Sequence, residues 1–234
     1  MEKLLDEGFE FVVIGGCAVS AYAALLEETS HTADLDILMS ESTLERLLRT
    51  AADVRARVVK RPSPRNVPVA LFDVEGLEVN VLTHSNGLPN PEHAVRLARI
   101  FSLQHYASLE VPIADPLDLL ANKMALRRDK DRPHIAILKR FIETEILELF
   151  ASETNARRRL GPANRYLEVL GTQELPEHLG SSLIERAKHE VDFRFLAHRL
   201  PLTFALELRR ALQSSGSAEL AKQVERILES RTPA

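Results

Sequence analysis

Two carboxylates, Asp34 and Asp36, stand two residues apart in the apolar run "ADLDILM" from Ala33 to Met39. Strand side chains alternate between faces, so the two share one face, about 6.6–6.8 Å apart along the chain. Like charges this close raise each other's pKa unless something positive lies between them. A divalent cation resolves the conflict, and Mg²⁺ is held by one or two carboxylates while water and phosphate oxygens fill its remaining positions. Upstream, Gly15 and Gly16 follow the apolar stretch Phe11–Ile14 and open a helix of small residues. Glycines let backbone amides approach a phosphate, and the positive end of the helix dipole favours it. Strand, glycine pair, helix and paired aspartates in this order describe a metal-dependent phosphoryl or nucleotidyl transfer site, working by positioning and charge neutralisation.

A second group lies in "ADPLDLLANKMALRRDKDRPHI", Ala114 to Ile135. Lys123, Arg127 and Lys130 fall at i, i+4 and i+7, which places them along one helix face. Leu117, Leu120, Ala121 and Met124 take the core side. A basic stripe beside a metal site would hold a triphosphate or the departing pyrophosphate; without such a site it is an ordinary solvated face.

The elements that must position these groups follow from periodicity and punctuation. A helix over 1–9 leads into a strand over 9–14, a helix over 16–26 and a strand over 35–39. Ser42, with Glu45 three residues on, reads as a capping box for a helix reaching Asp53. Strand composition recurs over 54–60, 67–73 and 77–83, with "DVEGLE" making a hairpin of the last two. Pro62, Pro64 and Pro68 mark a loop between the first two. A helix begins near Pro91, and Phe101–Ile113 holds one or two short strands. "DPLDLLANKMALRRDK" then reads as one helix, with Asp115 as N-cap and Pro116 in its first position. Another helix follows with Pro133 in its first turn. Gly161-Pro162, Gly171, Pro176, Gly180, Pro201 and "SSGS" divide the rest into four more helices. The expected class is α+β: a mixed-sheet domain over 1–113 and a helical domain over 114–234.

Composition narrows the function class. The chain has 234 residues, 45% of them hydrophobic, and a formal net charge of −4, so nothing global marks a nucleic-acid binder. The charge is uneven, however: residues 1–114 carry net −6 and residues 115–234 net +2. The cluster "ARRRLGPANR", with Arg157, Arg158, Arg159 and Arg165, is the place to look for RNA contacts in the second part, against the plainer reading of a solvated face. The lone Cys17 excludes an internal disulfide and fits a reducing compartment, and among small apolar neighbours it reads as a buried structural residue. No run of about 18 apolar residues and no signal-peptide pattern appears, so a cytoplasmic protein without a membrane span is expected.

"GGCAVSAY" (Gly15–Tyr22) followed by "SHTADLDI" (Ser30–Ile37) resembles the DNA polymerase β-type nucleotidyltransferase superfamily, with the AbiEii toxin-like family as the nearest branch. The Ala114–Ile135 block is similar to the segment those proteins carry after the catalytic sheet, and the resemblance covers about residues 10 to 140. It implies a nucleotidyltransferase-type mixed sheet with flanking helices, and an enzyme that uses Mg²⁺ or Mn²⁺ to move a nucleoside monophosphate from an NTP to an acceptor hydroxyl. It assigns the metal to Asp34 and Asp36, and the nucleotide and its phosphates to Gly15, Gly16, Ser30, Thr32, Lys123, Arg127 and Lys130. For partners it implies a tRNA or protein acceptor and an antitoxin. Where the superfamily has a third carboxylate, this chain has Asn80, whose amide oxygen can bind a metal but brings no charge and takes no proton. Glu78 by alternation, or Asp73 across the hairpin, could substitute. Ser30 and His134 stand where relatives often carry Arg and Asp, and the imidazoles of His31, His84 and His134 could serve as donors to phosphate or as acid–base groups. Two other readings stay open: a small-molecule, aminoglycoside-type nucleotidyltransferase using an acidic pocket around Asp73, Glu75 and Glu78, and a catalytically weakened nucleotide-binding protein. In an unrelated α/β domain, Asp34 and Asp36 would merely cap a turn.

Overall fold

The computed structural model of the chain describes residues 2–63, 69–102 and 109–231. It divides into two compact units, Met1–Phe141 and Ile142–Ala234. The first unit runs α1 (Glu2–Asp6), β1 (Val12–Ile14), α2 (Gly15–Leu25), β2 (Leu35–Leu38), α3 (Glu41–Thr50), β3 (Ala56–Lys60), β4 (Ala70–Val74), β5 (Leu77–Leu82), α4 (Pro91–Leu97), β6 (Arg99–Ser102), β7 (Glu110–Ile113) and α5 (Pro116–Leu126). A 3₁₀ turn at Asp129–Asp131 leads into α6 (Arg132–Ser152), within which the division between units falls.

The seven strands form one sheet in the order β3-β4-β5-β2-β1-β7-β6. Its pairing is mixed: β1 runs antiparallel to β2, and β2 parallel to β5. The central strands supply the core of the sheet. Val12, Val13 and Ile14 of β1, Ile37 and Leu38 of β2, and Val79 and Val81 of β5 are all buried. Each such side chain removed from water contributes about 1.5–3 kcal/mol. That burial holds β2 between β1 and β5, and it places the polar residues of these strands side by side. The β4–β5 hairpin turns at Glu75-Gly76, both with positive φ, as the "DVEGLE" pattern predicts.

Some boundaries differ from expectation. Helix α3 is capped by Ser40, whose Oγ accepts from the Thr43 amide at 3.2 Å, rather than by Ser42. The extended backbone of Ser40 suits the cap, while Ser42 already lies in the first turn. Helix α5 stops at Leu126, with Arg127 in the left-handed region at φ 52°, and does not continue to Lys130. Pro64, Pro68 and the beginning of the strand expected over 67–73 lie outside the described residues, as does 103–108 of the expected strand region.

The second unit is helical, as expected: beyond α6 come α7 (Ala156–Leu170), α8 (Glu177–Arg186), α9 (Glu190–Arg199), α10 (Leu202–Ser214) and α11 (Ala218–Arg231). The sequence predicts four helices here, whereas five are present among the described residues. Gly161-Pro162 does not divide the chain, because α7 runs through it. A proline ring clashes with the Cβ of the residue before it, and glycine has none. Gly180 likewise lies inside α8, where a Cβ would come within 2.5 Å of Leu200 Cδ2, so its role is close packing. Among the described residues, no helix is long and apolar enough to cross a membrane.

Candidate active site

The parallel pairing of β2 with β5 sets Asp36 directly across from Asn80, and the antiparallel pairing with β1 sets Ile14 on its other side. Asp34 precedes β2 by one residue and faces the same way. Asn80 Nδ2 donates to Asp34 Oδ2 at 3.2 Å and to Asp36 Oδ1 at 3.1 Å. Ionised carboxylates only accept, so the amide must present its nitrogen to them. Thr32 Oγ1 donates to Asp34 Oδ1 at 3.0 Å. Burial, and then the charge of Asp34, push the Asp36 pKa up; the Asn80 hydrogen bond and the charges of Lys123 and Arg128 offset this in part. The pair is thus a concentration of negative charge that its neighbours do not neutralise.

Helix α2 begins at Gly15, directly after β1, and Ile14 offers its first turn no side-chain cap. Gly15 has φ +70°, and a Cβ there would meet Asp36 Oδ2 at 2.0 Å. A Cβ on Gly16 would meet Thr32 Oγ1 at 2.6 Å. The glycine pair therefore lets the helix N-terminus press against the carboxylates. In α2's first turn, burial and the nearby Asp36 and Asp34 charges push the thiol of the half-buried Cys17 up, and Sγ donates to the Asp34 carbonyl at 3.3 Å.

The opposite wall comes from α5. Gly87 packs so tightly on this helix that a Cβ would fall 2.5 Å from the Ala121 carbonyl oxygen. Asn122 Nδ2 donates to Ser85 Oγ at 2.8 Å and to the Asn86 carbonyl at 2.7 Å. These contacts fix the rotation of α5 so that Lys123 faces the carboxylates across a cleft of about 200 Å³. Gly15, Asp36, Asn80, Ser85, Lys123 and Arg128 line it. Lys123 is 3% exposed, and its Nζ donates to Asp131 Oδ1 at 3.0 Å. Arg128 Nε donates to Asp131 Oδ2 at 2.6 Å, and its Nη2 to Oδ1 at 3.3 Å. Burial alone would raise the Asp131 pKa, but the hydrogen bonds and charges of Arg128 and Lys123 hold it below the ordinary carboxylate value.

The structure thus brings together Asp34, Asp36, Asn80, Gly15, Gly16 and Thr32, with Lys123 on the facing wall. Ser30 contributes its carbonyl to Ser20 Oγ at 3.0 Å. Arg127 and Lys130 are exposed and do not line the cleft, because the helix expected to align them with Lys123 ends first. Burying the Lys123 ammonium requires a carboxylate, and the 3₁₀ turn folds Asp131 back to supply it. Neither Asp73 nor Glu78 lines the cleft in place of the third carboxylate. Asp73 pairs with Arg57 at 3.3 Å and Glu75 with Arg55 at 3.4 Å, so the expected acidic pocket is offset by arginines. His31 and His84 are exposed, and neither lines the cleft; His134 Nδ1 lies 3.8 Å from Asp131. Sequence reasoning missed Arg128, Asn122 and Ser85. The only signal for Arg128 is its spacing of three from Asp131.

Among the described residues no group of three or more His, Cys, Asp or Glu is arranged to hold a metal. The donor set of two carboxylates does suit a Mg²⁺ that keeps its other positions for water and phosphate oxygens. Asp36 Oδ2, packed against Gly15 at the border of the cleft, is the oxygen best placed for it.

No family model matches this chain, and neither does any curated protein. Similar solved structures include ANT(2″)-Ia in complex with adenylyl-2″-tobramycin, at 11% identity and TM-score 0.43 over 70% of this chain and 93% of that one. Another is the solution structure of the antibiotic-resistance factor ANT(2″)-Ia, at 12% identity and TM-score 0.42 over 73% and 90%. A third is an antigenic nucleotidyltransferase-like protein from Paracoccidioides brasiliensis, at 12% identity and TM-score 0.32 over 85% and 89%. These are distant likenesses, and the site geometry stands apart from them.

Proposed function

We propose that the chain is a nucleotidyltransferase that moves a nucleoside monophosphate from an NTP to an acceptor hydroxyl and releases pyrophosphate. One observation carries this reading: Asp36, the uncapped glycine-led start of α2 and the buried Lys123 line a single cleft, and Asn80 ties Asp34 to Asp36 at its edge. Phosphates lie on the amides at the start of α2, which no side-chain cap occupies. Lys123 and Arg128, held by Asp131, face the triphosphate as fixed positive charges and stabilise the negative charge that develops on the departing pyrophosphate. Asp34 and Asp36 hold Mg²⁺, which when bound neutralises phosphate charge and polarises the reacting phosphorus. Thr32 and Asn80 keep the two carboxylates in place for it. The sequence resemblance extends the reading to a toxin-like enzyme whose acceptor is a tRNA or a protein and whose partner is an antitoxin.

A second reading, nucleotide binding without turnover, draws on Asn80, which cannot take a proton from an acceptor. Both are tested by incubating the protein with Mg²⁺ and each α-labelled NTP together with total tRNA, a protein extract or aminoglycosides. Transferred label that disappears in Asp36→Ala supports the enzyme. Saturable nucleotide binding with no transfer to any acceptor supports the binding protein. Absence of Mg²⁺-dependent nucleotide binding sinks both.

A further inference from the structure

We propose that Asn80 makes this a one-cation site, in which Asp34 and Asp36 act as a single ligand pair and a second divalent cation has no place. The inference rests on the nucleotidyl transfer reading and sharpens it. A carboxamide nitrogen carries two hydrogens, and here each has a carboxylate acceptor: Asp34 Oδ2 at 3.2 Å and Asp36 Oδ1 at 3.1 Å. The nitrogen therefore occupies the wedge between the carboxylates on their β5 side. The register Asp36↔Asn80 fixes it there, and Asn80 is only 8% exposed between the buried Val79 and Val81.

The four carboxylate oxygens can be followed one by one. Asp34 Oδ1 accepts from Thr32, Asp34 Oδ2 and Asp36 Oδ1 accept from Asn80, and Asp36 Oδ2 faces Gly15. The side of the pair open to a cation is thus Asp36 Oδ2 where it borders the cleft lined by Gly15 and Lys123, in which the phosphates of a nucleotide would lie. On the β5 side a cation would meet amide hydrogens, which carry positive partial charge. Turning the amide over would present a neutral oxygen to both carboxylates and leave Asp34 Oδ2 and Asp36 Oδ1 without the Asn80 donor. Asp73 and Glu78 do not reach the cleft to make up the missing charge. The chain therefore takes up its cation together with the nucleotide and gains no second cation beside the acceptor.

Equilibrium dialysis against Mn²⁺ with each α,β-methylene nucleoside triphosphate in turn, counting metal and nucleotide bound to the full-length chain, tests this. The expected result is one Mn²⁺ per bound nucleotide for the wild type and two for Asn80→Asp, with a thermal melt showing that both are folded. Two Mn²⁺ per nucleotide in the wild type would overturn the inference while leaving the transfer reading intact. A ratio of one in both proteins would also overturn it, since Asn80 would then not be what excludes the second ion. If folded wild type binds no Mn²⁺ with any analogue, the transfer reading falls and takes this inference with it.

Discussion

Gly15 and Asp36 touch: a Cβ added to residue 15 would stand 2.0 Å from Asp36 Oδ2 and 2.8 Å from its Cβ and Cγ. Because φ of Gly15 is +70°, Gly15→Ala suffers twice, through backbone strain of about 1–3 kcal/mol and through the collision. The variant is expected to melt at lower temperature and to lose Mg²⁺-dependent nucleotide binding. Gly76→Ala, also at positive φ but with open space around it, is the control: it should lose stability and keep binding, as read by calorimetry and nucleotide titration.

Asp36 should couple stability, pH and cation. Its folded pKa is raised above the unfolded value of 3.8, first by burial and then by Asp34. Its contribution to stability is therefore fully present below about pH 3.8 and lost as pH rises through the raised value. Without a cation, Asp36→Asn is expected to be the more stable protein at neutral pH, by about 2–4 °C in Tm for each kcal/mol of repulsion relieved. With Mg²⁺ and nucleotide the order should reverse, and wild-type affinity for Mg²⁺ should fall as the buffer is acidified across the same window. Melting curves from pH 4 to 7, with and without ligand, measure both effects.

Asp131→Asn leaves the Lys123 ammonium buried without a counter-charge. Breaking a buried pair in this way costs about 3–5 kcal/mol. Urea unfolding should show a clear drop in midpoint, whereas Lys123→Met combined with Asp131→Leu should recover most of it, though not phosphate binding. The pH dependence has the opposite sign to that of Asp36. The Asp131 pKa is lowered, so its stabilisation is present above about pH 3.8 and is lost as pH falls through the folded value.

Within the helical unit, Arg159 is 1% exposed and Asp192 0%, with Arg159 Nε and Nη2 each 2.8 Å from Asp192 Oδ1. Arg159 Nη1 donates to the Glu153 carbonyl at 2.6 Å, and Asp192 Oδ2 accepts from the His189 amide at 3.1 Å. Arg159→Ala is accordingly expected to destabilise by about 3–5 kcal/mol. Arg157→Ala and Arg158→Ala, at exposed positions, should change stability by less than about 0.5 kcal/mol. Of the arginine cluster, then, only the exposed members are open to an RNA. A weaker salt dependence of tRNA binding in an Arg157→Ala, Arg158→Ala double variant would reveal such a contact.

How much could be read in advance differs from residue to residue. Asp34 and Asp36 sharing a face follows from a period of two alone. Asp115 capping α5, with its Oδ1 accepting from the Leu117 amide at 3.0 Å, follows from a local preference. Arg159 could not be separated from Arg157 and Arg158, because the partner that buries it stands 33 residues away. Helical spacing reads Lys123 as the first member of a phosphate-facing stripe with Arg127 and Lys130, because it carries no information about where the helix must stop.

What the sequence alone determined was local: the order of elements, the α+β class, the carboxylates on one strand face and the glycine pair before α2. These depend on torsion preferences and on side-chain periodicity over a few residues. Only the tertiary structure decided that Asn80 lies between Asp34 and Asp36, that Asp131 turns back to Lys123, and that Arg128 rather than Arg127 lines the cleft. Those outcomes depend on which strand pairs with which and on the cost of leaving a buried charge unpartnered, and both involve residues far apart in the chain.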